Sequence, residues 1–246
     1  MLSTRKLNKK FGSLVVAQDI ALELPQGVRY ALIGPNGAGK TTLMNLLTGM
    51  LRPDSGRVVL GGNDITELRP DERVKRGLAR TFQINTLFPQ LSALEAVTLA
   101  VLEREGNAHN WWRGLPRFTA AIDEAHGILL SLGMKDVSFR LTRELAYGQQ
   151  RLLEIALALA TRPKVLLLDE PAAGVPKDES ALLFDAIANL SRELTILFIE
   201  HDMEVVFRFA SRIIVMVGGR ILVEGTPREI SADPRVREVY LGGAHG

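Results

Sequence analysis

Val28–Ile33 is a compact apolar run that stops at a glycine, and a helical pattern begins at Lys40. Between them stands Gly34-Pro35-Asn36-Gly37-Ala38-Gly39-Lys40-Thr41, which fits G-x-x-x-x-G-K-[ST]. Strand, glycine loop and helix in that order open a phosphate-binding α/β unit. The glycines let backbone N–H groups turn inward as an anion nest. The helix starting near Lys40 points the positive end of its dipole at the same spot. Lys40 has the reach for β- and γ-phosphates, Thr41 offers a hydroxyl to magnesium, and Thr42 is a further phosphate donor. The plain alternative is a glycine-rich turn that happens to precede Lys-Thr. The flanking strand and helix favour the phosphate loop.

A second apolar strand, Val165–Leu168, ends in the carboxylates Asp169 and Glu170. Asp169 is placed to hold magnesium through water. Successive strand residues point to opposite sides, so Glu170 is expected to face another part of the site. There it can orient an attacking water or accept its proton. Alone, the pair reads equally well as a solvated acidic turn before Pro171; the upstream loop tips the balance.

The 246 residues are 46% hydrophobic and 24% charged, proportions of a globular chain that buries its own core. There is no cysteine, which removes disulfide frameworks, thiolate metal sites and a Cys nucleophile. Lys plus Arg is 30 and Asp plus Glu is 28, a formal charge of +2 with no polybasic block. That is no field for nucleic acid. No apolar run approaches the ~18 residues of a membrane span. MLSTRKLNKKFG is not followed by a signal-type apolar region. The expectation is a cytoplasmic chain that, at a membrane, docks on a protein that spans it.

Leu14–Val16, Ile20–Leu24 and Arg57–Leu60 read as short antiparallel strands, and Ser92 with Glu95 forms a capping box that starts a helix. Phe118–Leu132 and Gly148–Ala160 also read helical, and Gly106–Pro116 as a loop. Strand-type runs return at Ile196–Ile199, Ile213–Val217 and Ile221–Val223, with helices over Asp178–Arg192, Met203–Phe209 and Asp233–Leu241. Apolar runs alternating with helices imply a largely parallel sheet. The division expected is one domain over 1–246, with 1–85 and 149–246 as an α/β core and 86–148 as a helical insert.

Leu145-Ala146-Tyr147-Gly148-Gln149 opens a helix ahead of the Asp169 strand, Gln83 follows Thr81-Phe82, and His201 follows Ile199-Glu200. With the phosphate loop and Asp169-Glu170, in this order, these residues resemble the ATP-binding subunit of ATP-binding cassette (ABC) transporters over nearly the whole chain. The resemblance implies an α/β P-loop NTPase (RecA-like) core with an antiparallel β subdomain and an α-helical insert. It implies ATP and Mg2+, held by Gly34, Pro35, Asn36, Gly37, Ala38, Gly39, Lys40, Thr41 and Thr42, with Thr41, Asp169 and Gln83 toward the metal. It further implies that His201 contacts the γ-phosphate and, with Glu170, aligns the attacking water, assisted by Gln83 and Lys40, and that Phe11 stacks on adenine. Tyr147, Gly148 and Gln149 fall in the signature loop, which meets the γ-phosphate of the nucleotide on a second, head-to-tail subunit. Here the sequence departs from the family. Ala146 stands where the family has Ser and Tyr147 where it has Gly, so a hydroxyl contact is missing while the Gly148 N–H remains. Tyr147 reads as packing on the insert. Pro176 replaces an Asp of the following loop, and Asp178 reads as the cap of the next helix.

Leu145–Ala156, Asp169–Gly174, Ile199–Met203 and Glu224-Gly-Thr-Pro look like the importer branch for branched-chain amino acids, and the chain ends soon after Gly-Thr-Pro as that branch does. The resemblance implies an ATPase powering uptake of such amino acids or similar small polar solutes. It implies transmembrane permease subunits and a second ABC ATPase subunit, identical or related, as partners, and indirectly a solute-binding protein; nucleic acid is not among them. It implies a peripheral place on the inner face of the cell membrane. Ile84, Leu87 and Phe88 are expected to receive a helix of the permease, and Trp111 and Trp112 to cover the insert. Three other readings stand beside it. They are an ATPase of a lipid or lipopolysaccharide exporter, a soluble ABC-type ATPase, and a non-enzymatic nucleotide-binding regulator. Intact Lys40, Asp169, Glu170 and His201 argue against the last.

Overall fold

In the computed structural model, residues 1–81, 88–107 and 118–241 are described. In chain order the elements are β1 (Leu2–Phe11), β2 (Leu14–Leu24), β3 (Arg29–Ile33), α1 (Lys40–Thr48), β4 (Ser55–Leu60), β5 (Asn63–Asp64), α2 (Pro70–Lys75) and β6 (Leu78–Arg80). Then come α3 (Ala93–Arg104), α4 (Thr119–Ser131), α5 (Tyr147–Ala160), β7 (Val165–Asp169), α6 (Lys177–Ala188) and β8 (Thr195–Ile199). The chain continues with α7 (Met203–Phe209), β9 (Arg212–Val217), β10 (Arg220–Gly225), α8 (Pro227–Ala232) and α9 (Pro234–Leu241). No helix among the described residues is long and apolar enough to cross a membrane.

Two compact units result. The first comprises Met1–Arg80, Lys164–Pro171 and Arg192 onward. It holds a six-stranded sheet in the order β10-β9-β3-β8-β7-β6 and a four-stranded antiparallel sheet in the order β2-β1-β4-β5. In the larger sheet all pairings are parallel except β9 with β10. The buried runs of β3, β7, β8 and β9 are apolar on consecutive residues, the pattern of strands covered on both faces. Leu43, Met44 and Leu47 of α1 pack with Leu167, Leu197 and Ile214 of the sheet.

β1 escaped the sequence reading, and β2 is one strand where two were expected. Both carry bulges that break the two-residue alternation: Lys6 has φ 45° and Asp19 φ 49°. Asn8 and Asp19 bridge the irregularity, the Asp19 N–H donating to Asn8 Oδ1 at 2.9 Å. Arg73 of α2 is fully buried. Its guanidinium donates to the carbonyls of Leu46 (2.8 Å), Leu47 (2.6 Å), Thr66 (2.7 Å) and Leu68 (3.1 Å). Leu46 and Leu47 lie in the last turn of α1, where helix carbonyls lack intrahelical donors and a cation is favoured. Burial lowers the Arg73 pKa, against the opposing pull of Glu67 and Asp64.

The second unit comprises Thr81–Pro163 and Ala172–Ser191. The 86–148 segment falls inside it, together with α5 and α6. Ala93, Val97 and Val101 of α3 and Ala121, Ala125 and Leu129 of α4 are buried at four-residue spacing, one stripe of each helix. Ser92 starts α3 as read: its Oγ accepts from the Glu95 N–H at 3.2 Å and Glu95 Oε2 accepts from the Ser92 N–H at 2.7 Å. α6 begins at Lys177 with Pro176 as its N-cap. Asp178 therefore lies within the first turn, not at the cap; proline already holds an extended backbone there.

Candidate functional site

Strand register builds the site in the first unit. Leu32 of β3 pairs with Ile199 of β8, and Ile199 pairs with Asp169 of β7. The carboxyl ends of three adjacent strands are thereby level. Loops leaving that edge are where open α/β sheets place ligands. Gly34–Gly39, Glu170 and Glu200–Asp202 all leave it.

The loop after β3 requires its glycines. Gly34 has φ 153°, and a Cβ there would lie 2.1 Å from the Met216 carbonyl oxygen. Gly39 has φ 98°, and a Cβ there would lie 2.5 Å from the Val16 carbonyl oxygen. Pro35 O accepts from the Ala38 N–H at 3.1 Å, closing a turn, and Gly39 O accepts from the Leu43 N–H at 2.9 Å. The N-cap residue of α1 is Gly39, which has no side chain to cap the helix, and among the described residues no side-chain cap hydrogen bond is made there. Its first backbone N–H groups are therefore left for an anion. Asn36, Gly37 and Thr41 are exposed, Pro35 and Thr42 half-buried, and Ala38 buried. Lys40 is buried, and its Nζ donates back to the carbonyls of Gly34 (2.7 Å) and Pro35 (3.1 Å). Desolvation lowers the Lys40 pKa, while Glu170 and Asp169 act to raise it. The ammonium and both carboxylates thus share one electrostatic neighbourhood.

Glu170 and His201 meet: His201 Nε2 lies 2.8 Å from Glu170 Oε1, both side chains partly exposed. The sequence predicts the direction of Glu170 from strand alternation. The structure assigns it differently. β7 ends at Asp169, and Glu170 turns into the left-handed region with φ 48°. Its N–H donates to Ile199 O at 3.1 Å. A tight turn, not the pleat, aims the carboxylate at the histidine. Asp169 takes a hydrogen bond and ion pair from Arg80 through Oδ2. Arg80 is absent from the sequence reading because it closes β6, a three-residue strand with too few positions to show a period. Phe11 is exposed at the β1–β2 hairpin, with Lys9 Nζ 5.6 Å from its ring centroid.

In the second unit, Ala146 is the N-cap of α5, and Gln149 Oε1 accepts from the Ala146 N–H at 3.1 Å. The Gly148 N–H donates to Glu179 Oε2 at 3.2 Å. The Tyr147 hydroxyl donates to Ala173 O at 3.2 Å. Its ring lies against Gly174, with the Arg151 guanidinium 4.9 Å from its centroid. Tyr147 is thus packed on the turn before α6, and Glu179 occupies a donor at the head of α5. His126 is half-buried in α4. Gln83, Ile84 and Leu87, with His109, Trp111, Trp112 and His245, lie outside the described residues, while Phe88 is described and exposed.

The family model described as ABC transporter matches residues 17–173. A second, described as branched-chain amino acid ATP-binding cassette transporter, matches residues 220–246. The high-affinity branched-chain amino acid transport ATP-binding protein LivG of Salmonella typhimurium is 38% identical, over 99% of this chain and 98% of its own. The lipopolysaccharide export system ATP-binding protein LptB of Acidithiobacillus ferridurans is 35% identical, over 98% of this chain and 97% of its own. Among solved structures, the ADP conformation of MJ1267, an ATP-binding cassette of an ABC transporter, superposes with a TM-score of 0.86 at 32% identity, covering 98% of each chain.

Proposed function

Because the chain belongs to the ATP-binding cassette family of ABC transporters, we propose that it is the ATP-hydrolysing subunit of an importer for branched-chain amino acids or similar small polar solutes. The observation that carries the hydrolytic part is the Glu170–His201 contact of 2.8 Å at the strand edge from which the Gly34–Thr41 loop departs. The substrate part rests on the LivG relative and the match over residues 220–246.

The uncapped head of α1 and the loop N–H groups bind the phosphates, and Lys40 exchanges its loop carbonyls for phosphate oxygens. Thr41 and Asp169 offer one hydroxyl and one carboxylate. This small set of hard oxygen donors suits magnesium, which keeps waters and shares substrate phosphates. When bound, magnesium neutralises charge developing on the phosphates. The family resemblance alone gives Gln83, which lies outside the described residues, a role toward the metal and the attacking water. Glu170 orients the attacking water and accepts its proton, and His201 fixes the carboxylate's direction. Phe11 stacks on adenine, its exposed ring giving a flat face. Gly148 and Gln149 address the nucleotide of a second subunit once the Gly148 N–H leaves Glu179 and the Gln149 side chain leaves the Ala146 N–H, with Tyr147 beside them. Two such subunits close on ATP and open after hydrolysis, and permease subunits follow that motion at the inner face of the membrane.

The test uses the Glu170→Gln protein with Mg2+ and ATP as bait in detergent-solubilised native membranes, read by mass spectrometry. Two permease proteins, alone or with a second cassette, are the expected recovery. Lipopolysaccharide-export components would move the chain to the LptB-like reading. Ribosomal or DNA-associated proteins alone would overturn the transport reading. The same variant should bind ATP and turn over little; rapid turnover would refute the role given to Glu170.

A further inference from the structure

Arg80 sits at the end of β6, the outermost strand of the large sheet, in register with Leu167 of β7. Its Nη2 donates to Asp169 Oδ2, and its Nη1 donates to Asn45 Oδ1 at 2.6 Å. The two charged side chains are only 12% and 18% exposed. Nε is buried and has no hydrogen-bond partner among the described residues. Asn45 stands one helical turn after Thr41 on α1, so it lies on the same side of the helix. One guanidinium therefore ties the helix that carries Lys40 and Thr41 to the end of the strand that carries Asp169. Among the described residues Asp169 Oδ1 takes no hydrogen bond, so the carboxylate is clamped through one oxygen and leaves the other open.

We infer that Arg80 is a positioning residue for hydrolysis, which holds Asp169 through Oδ2 so that Oδ1 faces the hydration shell of the metal. The inference rests on the ATPase reading above. Groups that hydrogen-bond a metal-binding carboxylate fix its orientation, and their loss lowers metal affinity by roughly 10–100-fold. The fork geometry matters because a guanidinium reaches two acceptors from a rigid plane, which an ammonium does not. Charge works in the opposite direction. A cation beside Asp169 repels the metal, so deleting a mere counter-ion would tighten metal binding. The sign of the change separates the two roles.

The experiment titrates Mn2+ into the full chain with ADP and follows free Mn2+ by electron paramagnetic resonance. ADP affinity in EDTA and thermal melting are measured alongside. Arg80→Gln should weaken Mn2+ binding about tenfold and leave metal-free ADP affinity unchanged. Arg80→Lys keeps the charge but not the fork and should recover part of the loss. Asn45→Ala frees the guanidinium from α1 and should weaken Mn2+ in the same direction; it decides the matter if Arg80→Gln does not fold. Unchanged or tighter Mn2+ binding in the folded variants would overturn the inference and leave nucleotide binding standing. A wild-type chain that takes up no ADP with or without metal would overturn the ATPase reading as well.

Discussion

Glu124 of α4 should make the second unit acid-sensitive in a way that one substitution removes. Its carboxylate accepts two bonds from Arg104, at 2.6 and 2.9 Å, and two from Arg162, at 3.0 and 2.8 Å. Arg104 ends α3 and also donates to Ala160 O at the end of α5, at 2.7 Å. The cluster therefore ties three helices together. The Arg104 hydrogen bonds, foremost, hold the Glu124 pKa at about 2 against an ordinary 4.5, with Arg162 adding to them and desolvation opposing. At 1.36 kcal/mol per pH unit that gap corresponds to about 3.4 kcal/mol. Arg162 is 68% exposed and its share is screened by solvent, which reduces the expected contribution to about 2 kcal/mol. The folded-state pKa is depressed, so the contribution is full above pH 4.5 and is lost as pH falls toward 2. Glu124→Gln should then be about 2 kcal/mol less stable than wild type at pH 7, with the difference shrinking steadily below pH 4.5. Urea denaturation of both proteins between pH 7 and pH 3, followed by far-UV circular dichroism, measures that difference directly. A stability gap that stays constant across this range would refute the linkage, because it would owe nothing to the charge on Glu124.

Lys40→Ala should lower ATP affinity by roughly 10–100-fold, the worth of a charge-assisted contact to phosphate, and a fluorescent ATP analogue measures it; unchanged binding would remove Lys40 from the site. His201→Ala should cut turnover about 100-fold, because it removes the imidazole that lies 2.8 Å from the Glu170 carboxylate; phosphate-release kinetics measure it, and turnover near that of wild type would remove His201 from the reaction. Arg73→Met should cost about 3–5 kcal/mol by leaving buried carbonyls of α1 without donors, read as a lower urea midpoint; a loss below about 1 kcal/mol would mean that the helix end is satisfied without it.

The phosphate loop was legible because its chemistry is local. Strand, glycines, lysine and helix are contiguous, and at Gly34 and Gly39 a positive φ coincides with a carbonyl too close for a Cβ. The parallel strands β3, β7, β8 and β9 are legible because burial on both faces makes them apolar on consecutive residues, whereas β6 is too short to show a pattern. The Ser92–Glu95 cap is legible by its Ser-x-x-Glu spacing, and Thr226–Glu229 carries the same type of capping box at the start of α8, inside a stretch that also resembles a family motif. Arg80 on Asp169, Arg73 on α1 and Glu179 on Gly148 join residues far apart in the chain. No period, cap or turn rule encodes such pairs. They follow from strand order and helix placement, which become known only with the fold.

Among the described residues, the non-glycine residues with positive φ, Lys6, Asp19, Arg162 and Glu170, mark where local preference was overruled. Lys6 and Asp19 sit in facing bulges of β1 and β2. Gly56 of β4 packs against the first, where an added Cβ would lie 2.2 Å from Lys6 O. Arg162 turns the chain after α5 and brings its guanidinium to Glu124. These three serve packing, and each is held by neighbours on another segment. Glu170 differs in what it gains. A left-handed conformation costs a residue with a side chain on the order of 1 kcal/mol, and the hydrogen bond from its N–H to Ile199 O holds it there. In return the carboxylate leaves the strand direction and meets His201. A residue that followed the pleat would be cheaper to fold and would point elsewhere. Strain of this kind persists where the surrounding structure over-determines it, and here β7 and β8, paired through Asp169 and Ile199, are that structure. The rigidity of the sheet edge is thus what sets the direction of the proposed catalytic carboxylate.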